Sequence, residues 1–415
     1  MLTVIVHLLI LLVFANRYFL GTFLQQAQGA RFDQTDDRFE PTVSIVVPMF
    51  NEGRSIFDTV MSLLRQDYPA HKLNIIVVDD QSTDDSHHWA LKAAAAAPGR
   101  VTVIQNPVNM GKRRGINRAV RAAVSEIIVS VDSDVIVNAD AVRQLVRRFA
   151  EPDIAAVGGR VNVLNKHVNW LTRMQTIKYY FGYEYLKNVE RCFKSVMCLS
   201  GCLTAYRRHV LMELEPILEH RNVLGIPIKY GEDRFLTRQI VKAGYKTVLT
   251  LDAVSHTKAP ETLSGYFSQQ LRWRRSNLVD YLGGISHVWR MHPAVSLHYF
   301  SLAALMLAYP AVILHALATG SFWNAMVIHV GVVAGFGALY RLKMAGVPEE
   351  DRVGPLNFLW MAAVMPVTYL LLTPLALFTL DSGSWETRGH AAVSTEPTAE
   401  PQRARRPSLA GGRSS

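Results

Sequence analysis

Apolar residues are concentrated towards the two ends of the chain, whereas the middle alternates short β-branched runs with amphipathic stretches. Residues 2–14 are almost uninterrupted apolar residues and predict an N-terminal transmembrane helix within residues 1–26. A secretory signal peptide is the alternative, but no Lys or Arg precedes the run and no small-residue cleavage site follows it. Because Arg17 and Arg31 come after the run, the distribution of positive charge predicts an external amino terminus and a cytoplasmic domain after the helix.

The middle of the chain, residues 41–258, predicts one α/β domain. Runs without polar alternation are typical of strands that are covered on both faces of a sheet; these are Val43–Pro48, Asn74–Asp80, Val101–Asn106 and Ile127–Asp132. Helical stretches are predicted at Ser55–Gln66, Asp84–Ala97, Lys112–Ser125 and Glu232–Ala243. This alternation predicts a doubly wound, mostly parallel sheet, and such sheets bind ligands at the carboxyl ends of their strands.

The last third of the chain is predicted to be associated with a membrane. Amphipathic interface helices are expected within 259–293, and three apolar segments follow within 294–382: Val295–Thr319, Ser321–Tyr340 and Val353–Leu380. If the third segment crosses the bilayer fully, the Arg-rich residues after it lie outside, against the usual charge distribution. A re-entrant or broken segment would keep them inside, and the sequence leaves both open. The tail within 383–415 is rich in Pro, Ala, Ser and Arg, which predicts disorder.

Bulk composition adds little to this division of the chain. The 415 residues allow one catalytic domain plus membrane segments, and hydrophobic residues make up 49%. The net charge of +10 fits anionic lipid or substrate, and cytoplasmic positive charge explains it equally well, so no nucleic-acid partner is predicted. The three cysteines, Cys192, Cys198 and Cys202, lack partners at zinc spacing and are expected to be reduced and buried.

Two acidic clusters close predicted strands. Asp79 and Asp80 end the second strand, where a carboxylate can accept hydrogen bonds from uracil or ribose, although Asp also commonly ends strands in turns. Asp132 and Asp134 follow the fourth strand, and two carboxylates at this spacing can converge on Mg²⁺ or Mn²⁺. Such a cation would neutralise a departing diphosphate. An isolated Asp-x-Asp is common by chance, so its position after a buried strand supports the metal hypothesis more than the motif does.

Two predicted helices begin with charged residues. Lys112 and Arg113 open one helix, where clustered cations and the helix amino terminus favour a diphosphate; a solvated basic face is the alternative. Glu232 and Asp233 open another, and Asp233 is the candidate base for an acceptor hydroxyl. Acidic residues at this position also complement the helix dipole without any catalytic role.

A further motif lies in the predicted interface region, within Gln269–Trp273. The flat face of Trp273 suits a sugar ring, and Arg272 can bind phosphate. An amphipathic helix at the membrane surface is the structural alternative, and the two interpretations are compatible.

Four of these motifs, in this order and between membrane segments, resemble the signature of processive inverting glycosyltransferases of family 2, which include cellulose, chitin and hyaluronan synthases. They are Asp79-Asp80, Asp132–Asp134, Gly231–Asp233 and Gln269–Trp273. Within that family the chain is most similar to hyaluronan synthases and rhizobial chitin-oligosaccharide synthases. Asn109–Arg113 resembles their Asn-x-Gly-Lys-Arg element, and Ser200–Arg208 resembles an acceptor-pocket segment in which Cys202 replaces the usual Pro. Trp385–Arg388 is similar to the Trp-Gly-Thr-Arg motif of hyaluronan synthases, with Glu386 in place of Gly.

The resemblance implies a GT-A-like domain inserted between membrane helices and a role for each motif. The implied donor contacts are Asp79 and Asp80 on the uridine side, with Asp132 beside them, and Asp134 on the metal. Asp233 is implied as the base, Trp273 as the acceptor platform, and Arg272 as a diphosphate contact. Further substrate contacts are implied for Lys112, Arg113, Ser200, Gly201, Tyr206, Arg207, Glu232, Gln269, Trp385 and Arg388. Trp385 and Arg388 would lie at the cytoplasmic mouth of a channel, which favours a re-entrant third segment.

The predicted function is therefore a multi-pass plasma-membrane enzyme that polymerises UDP-sugars into a β-linked polysaccharide and translocates it. A hyaluronan-type product is the first prediction, with UDP-N-acetylglucosamine and also UDP-glucuronate or UDP-glucose as donors. A chitin-oligosaccharide or other exopolysaccharide synthase is the alternative. A non-processive transferase and a catalytically silent scaffold or transporter are the remaining hypotheses. The partners are the donors, the growing polysaccharide and membrane lipid.

Overall fold

The computed structural model describes residues 19–28, 35–223, 225–228 and 230–381. The predicted N-terminal transmembrane run at 2–14 and the tail at 383–415 lie outside the described residues, and so do Trp385 and Arg388. The predictions made for these positions stay predictions.

The strands and helices of the described residues follow the predicted alternation. The strands are β1 (Val43–Met49), β2 (Leu73–Asp79), β3 (Val101–Gln105), β4 (Ile127–Ser130), β5 (Ile136–Val137), β6 (Ile154–Val163), β7 (Thr204–Arg207), β8 (Asn222–Val223), β9 (Ile226–Pro227) and β10 (Lys246–Thr257). The helices are α1 (Gly21–Gln28), α2 (Ser55–Leu64), α3 (Ser86–Ala96), α4 (Lys112–Ala122), α5 (Ala141–Val146), α6 (Trp170–Phe181), α7 (Asn188–Cys192), α8 (Arg208–Glu219), α9 (Glu232–Lys242), α10 (Leu263–Gly284), α11 (Pro293–Ala318), α12 (Phe322–Lys343) and α13 (Met361–Phe378).

The main sheet has the order β3-β2-β1-β4-β7-β6-β10-β5. The first four strands are parallel, whereas β7 runs antiparallel to both of its neighbours and β5 antiparallel to β10. The predicted α/β sheet is confirmed, but it is more mixed than the predicted doubly wound sheet. The sequence did not predict β7, which is only four residues long and takes its direction from pairing with β4 and β6.

The sheet is covered on both faces, which explains its β-branched strands. Every residue of β1 is buried. Val43, Ile45 and Val47 belong to one apolar core, and Val46 belongs to the core on the opposite face. Because each face carries its own helices, alternation with polar residues is absent from the sequence of these strands.

In the described part of the chain after residue 292, three segments are long and apolar enough to cross a membrane: Pro293–Ala318, Phe322–Lys343 and Glu349–Phe378. The third is not one regular helix. Its first part forms two short 3₁₀ turns, Glu349–Asp351 and Pro355–Trp360, before α13 begins.

Both ends of the third segment contact the α/β domain. At its start, Lys166 Nζ lies 3.2 Å from Asp351 Oδ1. At its end, the Tyr230 hydroxyl donates to the Leu380 carbonyl over 2.9 Å. Between these points α13 runs alongside α10 in the same direction, since Val364 packs with Tyr266 and Ala376 packs with Leu278.

A buried ion pair joins α10 to the α/β domain. Arg238 Nε on α9 donates to Asp280 Oδ1 on α10 over 2.6 Å, and both side chains are less than a tenth exposed. Gly283 permits this contact, because a Cβ at that position would lie 2.5 Å from the Arg238 guanidinium. The pair therefore fixes α10 against α9.

We expect Asp280→Ala to lower the free energy of unfolding by about 3–5 kcal/mol, because it leaves the Arg238 cation buried without this partner. Asp153→Ala is the matched control. It removes an exposed carboxylate 3.1 Å from Lys246 and should cost less than about 1 kcal/mol. Thermal unfolding of both variants in detergent measures the difference, and equal losses would contradict the structural role of the buried pair.

Candidate active site

The carboxyl ends of β1, β2 and β4 lie at one edge of the sheet, because these strands are parallel neighbours in register. The chain continues from them into Glu52, Asp80 and Asp132 respectively. Parallel pairing thus brings together polar residues that are separated by 80 positions in the sequence.

Asp79 and Asp80 are buried, and both carboxylates accept hydrogen bonds within the protein. Asp79 accepts from Ser82 N and Gln105 Nε2, each over 2.9 Å. Asp80 accepts from the backbone N–H groups of Met110 and Gly111 over 2.9 and 2.6 Å. Asp80 therefore fixes the loop that precedes Lys112, and its direct contact with a uridine stays a prediction.

Lys112 connects the sheet edge to the start of α9. Its Nζ lies 2.7 Å from Asp132 Oδ1 and 2.8 Å from Glu232 Oε1. Gly201 lies against this pair, since a Cβ there would be 3.1 Å from Lys112 Nζ and 3.3 Å from Asp132 Oδ1. The Gly201 N–H donates to Asp233 Oδ2 over 3.2 Å. The structure therefore brings four of the predicted motifs into one site.

The charges of this site shift the pKa values of its members in opposite directions. Burial acts to lower the pKa of Lys112, but Asp132 and Glu232 outweigh it and hold that pKa well above its usual value. Burial acts to raise the pKa of Glu232, but Lys112 outweighs it and lowers that pKa to about 2. Burial and the Glu232 carboxylate together raise the pKa of Asp233. Glu232 is thus a fixed anion, and Asp233 is the stronger base of the two.

The position of α9 depends on Gly231. This residue has a φ of +67°, and a Cβ on it would lie 2.0 Å from the Ser276 hydroxyl on α10. A glycine is therefore required for both the left-handed backbone and the close approach of the helices.

Helix α10 carries the predicted acceptor residues. The Trp273 ring lies 6.3 Å from the Tyr179 ring and 5.7 Å from Lys178 Nζ. Lys178 also donates to Gln270 Oε1 over 2.6 Å, and Gln270 in turn donates to Gln269. These contacts hold Gln269 and Trp273 beside α6, where the Trp273 ring lies next to the Tyr179 ring.

Arg272, on the same helix, faces the carboxylates at the start of α9. Its charge adds to the effect of Lys112 in lowering the pKa of Glu232. It is therefore within electrostatic reach of the site around Lys112.

The oxygen atoms of Asp132 and Asp134 suit a hard divalent cation. Asp134 Oδ2 lies 3.5 Å from Thr257 Oγ1, and the intervening Ser133 donates to Glu52 Oε1 over 3.0 Å. Within the described parts of the chain, no group of three or more His, Cys, Asp or Glu residues could hold a metal ion. A cation held by Asp132 and Asp134 therefore stays a prediction, and it would take its remaining ligands from substrate phosphates and water.

The other predicted contact residues differ in their placement. Tyr206 is buried and lines a cavity with Lys112, Gly201, Glu232 and Asp233. Ser200 accepts from the Cys202 N–H over 3.3 Å and so shapes the turn around Gly201.

Two predicted substrate residues have protein partners instead. Arg207 donates to the carbonyls of Phe149, Glu151 and Ile154 near the start of β6. Arg113 donates to the Ile228 carbonyl over 3.3 Å. Arg113 nevertheless lines the same cavity as Lys112 and is within electrostatic reach of Glu232, whereas no contact joins Arg207 to the ion pairs of Lys112. A substrate contact for either guanidinium group stays a prediction.

Residues that sequence reasoning missed are Glu52, Lys178 and Tyr179. Glu52 had a usable signal, because it follows the first predicted strand just as Asp80 follows the second. Lys178 and Tyr179 had none, since α6 was not predicted and only the packing of α6 on α10 brings them to Trp273.

The fold is shared with a known class of enzymes. A mannosyltransferase from Pyrobaculum calidifontis, solved with GDP-mannose and Mn²⁺, superposes with a TM-score of 0.60 at 23% identity, covering 88% of this chain and 99% of that one. At this identity the likeness shows the fold, which is GT-A-like.

Sequence comparison gives the family. Residues 41–276 match the model described as glycosyltransferase like family 2. An N-acetylglucosaminyltransferase of Azorhizobium caulinodans is 31% identical over 84% of this chain and 87% of its own length. An N-acetylglucosaminyltransferase of Rhizobium leguminosarum bv. viciae is 32% identical over 85% of this chain and 83% of its own length. The chain belongs to glycosyltransferase family 2 and is a glycosyltransferase. Three apolar segments among its described residues indicate membrane association.

We expect Glu232→Gln to move the acidic limb of the pH–activity profile to lower pH. The Glu232 carboxylate raises the pKa of Asp233, so removing its charge lowers that pKa, and Asp233 stays deprotonated further into the acid range. The profile of initial transfer rates against pH measures the shift. Glu213→Gln, on the exposed side of α8, is the control and should leave the limb in place, whereas an upward shift in Glu232→Gln would contradict the assignment of Asp233 as base.

We expect Gly231→Ala to lower both stability and activity, because it strains the backbone and pushes α10 away from α9. Gly244→Ala is matched to it, since Gly244 has a φ of +93° but a Cβ added there would meet no other atom within 4 Å. The control should lose about 1–3 kcal/mol of stability from strain alone and keep its activity per folded molecule. Thermal unfolding and transfer rate together distinguish strain from helix displacement.

Proposed function

We propose that the chain transfers N-acetylglucosamine from UDP-N-acetylglucosamine to the end of a growing β-linked chain, as a chitin-oligosaccharide type synthase. The observation that carries this proposal is the contact of Lys112 with both Asp132 and Glu232, which places the donor-side motif next to the candidate base Asp233. The N-acetylglucosaminyltransferase relatives, which match over most of both chains, support this sugar.

The proposed reaction is a single displacement at the anomeric carbon. Asp233 takes the proton of the acceptor hydroxyl while that oxygen attacks the donor sugar, and the bond to UDP breaks on the opposite face. An α-linked donor therefore gives a β-linked product. Lys112 and Arg272 supply positive charge beside the departing diphosphate, and their pre-organised position lowers the barrier.

A divalent cation, Mg²⁺ or Mn²⁺, fits this scheme. Asp132 and Asp134 would hold it, and when bound it neutralises the charge that develops on the diphosphate. The Lys112 ammonium keeps one Asp132 oxygen oriented, which leaves the second oxygen of that carboxylate for the cation.

The relatives favour the chitin-oligosaccharide alternative over a hyaluronan-type product. Hyaluronan synthesis requires UDP-glucuronate as a second donor. The motif that favoured it, around Trp385 and Arg388, lies outside the described residues. Hyaluronan synthesis is therefore the second candidate.

We also propose that the chain is a multi-pass plasma-membrane protein whose catalytic domain faces the cytoplasm, and that the third apolar segment is re-entrant. The contacts of Asp351 and Leu380 with the α/β domain support this, because both ends of the segment then lie on the same side of the bilayer. The polymer would leave through the membrane helices beside α10.

Donor identity is tested by incubating membranes that contain the protein with UDP-N-acetylglucosamine and UDP-glucuronate, singly and together. We expect β-linked N-acetylglucosamine oligomers or polymer from UDP-N-acetylglucosamine alone, with mass spectrometry as the readout. A product that forms only when UDP-glucuronate is also present would replace this proposal with hyaluronan synthesis.

The role of Asp233 is tested by Asp233→Asn in the same assay. Asparagine keeps the size of the side chain but cannot accept the proton, so turnover should fall about 10²–10⁴-fold. Asp153→Asn, an exposed change remote from the site, should keep full activity. If Asp233→Asn made as much product as the unaltered chain, Asp233 would not be the base, and the site would need a different one.

A further inference from the structure

A partly buried cation beside Trp273 has only neutral partners among the described residues. Lys178 lies on α6, and its ammonium group donates to Gln270 Oε1 over 2.6 Å and lies 3.4 Å from the Tyr266 hydroxyl oxygen. The Tyr266 ring lies 5.3 Å from the same nitrogen. A charged group away from water is normally paired with an opposite charge, so a lysine with neutral partners at this place needs a functional explanation.

A second cation lies close to the first. Arg274, on α10, is only 8% exposed, and its guanidinium group stacks on the Tyr369 ring at 4.0 Å. In the part of the chain that the structure describes, Arg274 forms no ion pair with a carboxylate. Burial and the charge of Arg274 together lower the pKa of Lys178 to about 7. The two cations therefore repel each other, and no carboxylate of a described residue offsets that repulsion.

Both cations belong to the surroundings of the candidate acceptor platform. Lys178 Nζ lies 5.7 Å from the centre of the Trp273 ring, and Arg274 follows Trp273 directly in α10. A Coulomb interaction in a partly buried place acts over such distances. A sugar that stacks on Trp273 therefore lies in the positive field that Lys178 and Arg274 create.

We propose that Lys178, reinforced by Arg274, determines which saccharide the acceptor site takes: a neutral, N-acetylated sugar is accepted, and a sugar with a free amino group is rejected. The inference rests on the proposed function, in which a saccharide acceptor is extended beside Trp273, and adds the chemical class of that acceptor.

The acetamido group and the amino group of a sugar differ in a way that this pair of cations can distinguish. An acetamido carbonyl accepts hydrogen bonds and suits the remaining donor of the Lys178 ammonium group, whereas a protonated amine offers no acceptor. A third positive charge beside two cations that lack a carboxylate partner is costly, because the effective dielectric constant of a partly buried place is low. A chain that ends in glucosamine should therefore bind more weakly than one that ends in N-acetylglucosamine.

The test compares two acceptors of equal length, an N-acetylglucosamine pentamer and a glucosamine pentamer. Each purified protein in lipid nanodiscs receives UDP-N-acetylglucosamine and one pentamer at about pH 6, where Lys178 and the sugar amine are both protonated. The kcat and the KM for the acceptor are measured. Lys178→Met removes the charge at similar length, and Lys178→Arg keeps it. Lys194→Met is the matched control, because Lys194 has a carboxylate partner, Glu151, outside the acceptor site.

We expect the unaltered chain to use the glucosamine pentamer with a kcat/KM at least about tenfold below that for the N-acetylglucosamine pentamer. Lys178→Met should narrow this ratio to about threefold and should lower the KM for the glucosamine pentamer, a gain that a mere loss of packing would not produce. Lys178→Arg and Lys194→Met should keep the ratio. If Lys178→Met weakened both acceptors alike, or left the ratio as it is in the unaltered chain, Lys178 would not select the acceptor.

A binding measurement keeps this inference separate from the proposed function. Fluorescent forms of the two pentamers are titrated against the same nanodiscs without donor. If the unaltered chain transfers no sugar from UDP-N-acetylglucosamine, yet prefers the acetylated pentamer at least about tenfold and loses this preference in Lys178→Met, the proposed function fails and selection by Lys178 stands. If the unaltered chain binds both pentamers equally, or binds neither, selection by Lys178 fails whatever the transfer assay shows.

Discussion

The candidate site depends on the contacts of the Lys112 ammonium group with the Asp132 and Glu232 carboxylates. Three carboxylates, those of Asp132, Glu232 and Asp233, lie close together in a partly buried place where like charges repel strongly. The Lys112 ammonium group lies between Asp132 and Glu232 and stabilises both carboxylates in their ionised form. It also holds the end of β4 against the start of α9. Asp80 supports this arrangement, because its carboxylate accepts hydrogen bonds from the loop that precedes Lys112 and so fixes that loop.

Helix α10 links the candidate site to the apolar helices that follow it. This helix packs closely against the α/β domain at Gly231 and is joined to it by the Arg238–Asp280 ion pair. Along its other side it carries α13 and the stacked Arg274–Tyr369 contact. A shift of α10 would therefore disturb the packing around Trp273 and the packing of the apolar helices together.

The third apolar segment has features of both a membrane helix and part of the catalytic domain. Its composition allows it to cross a bilayer, yet it begins with two 3₁₀ turns and contacts the α/β domain at both ends. Two internal prolines, Pro366 and Pro374, and the hydroxyl of Thr373 set it apart from a uniform lipid-facing helix.

The sequence alone determined strands β1 to β4, the helices between them and the residue types of the site. Strands such as Val43–Met49 were predicted within one residue, because burial on both faces leaves an uninterrupted apolar run, and the acidic motifs were recognised from their places at strand and helix ends. Only the tertiary structure decided that β7 runs antiparallel, that Lys112 joins Asp132 to Glu232, and that Arg207 binds backbone carbonyls. Those outcomes depend on contacts between residues up to 120 positions apart, and no local pattern of hydrophobic and polar residues encodes which partners meet.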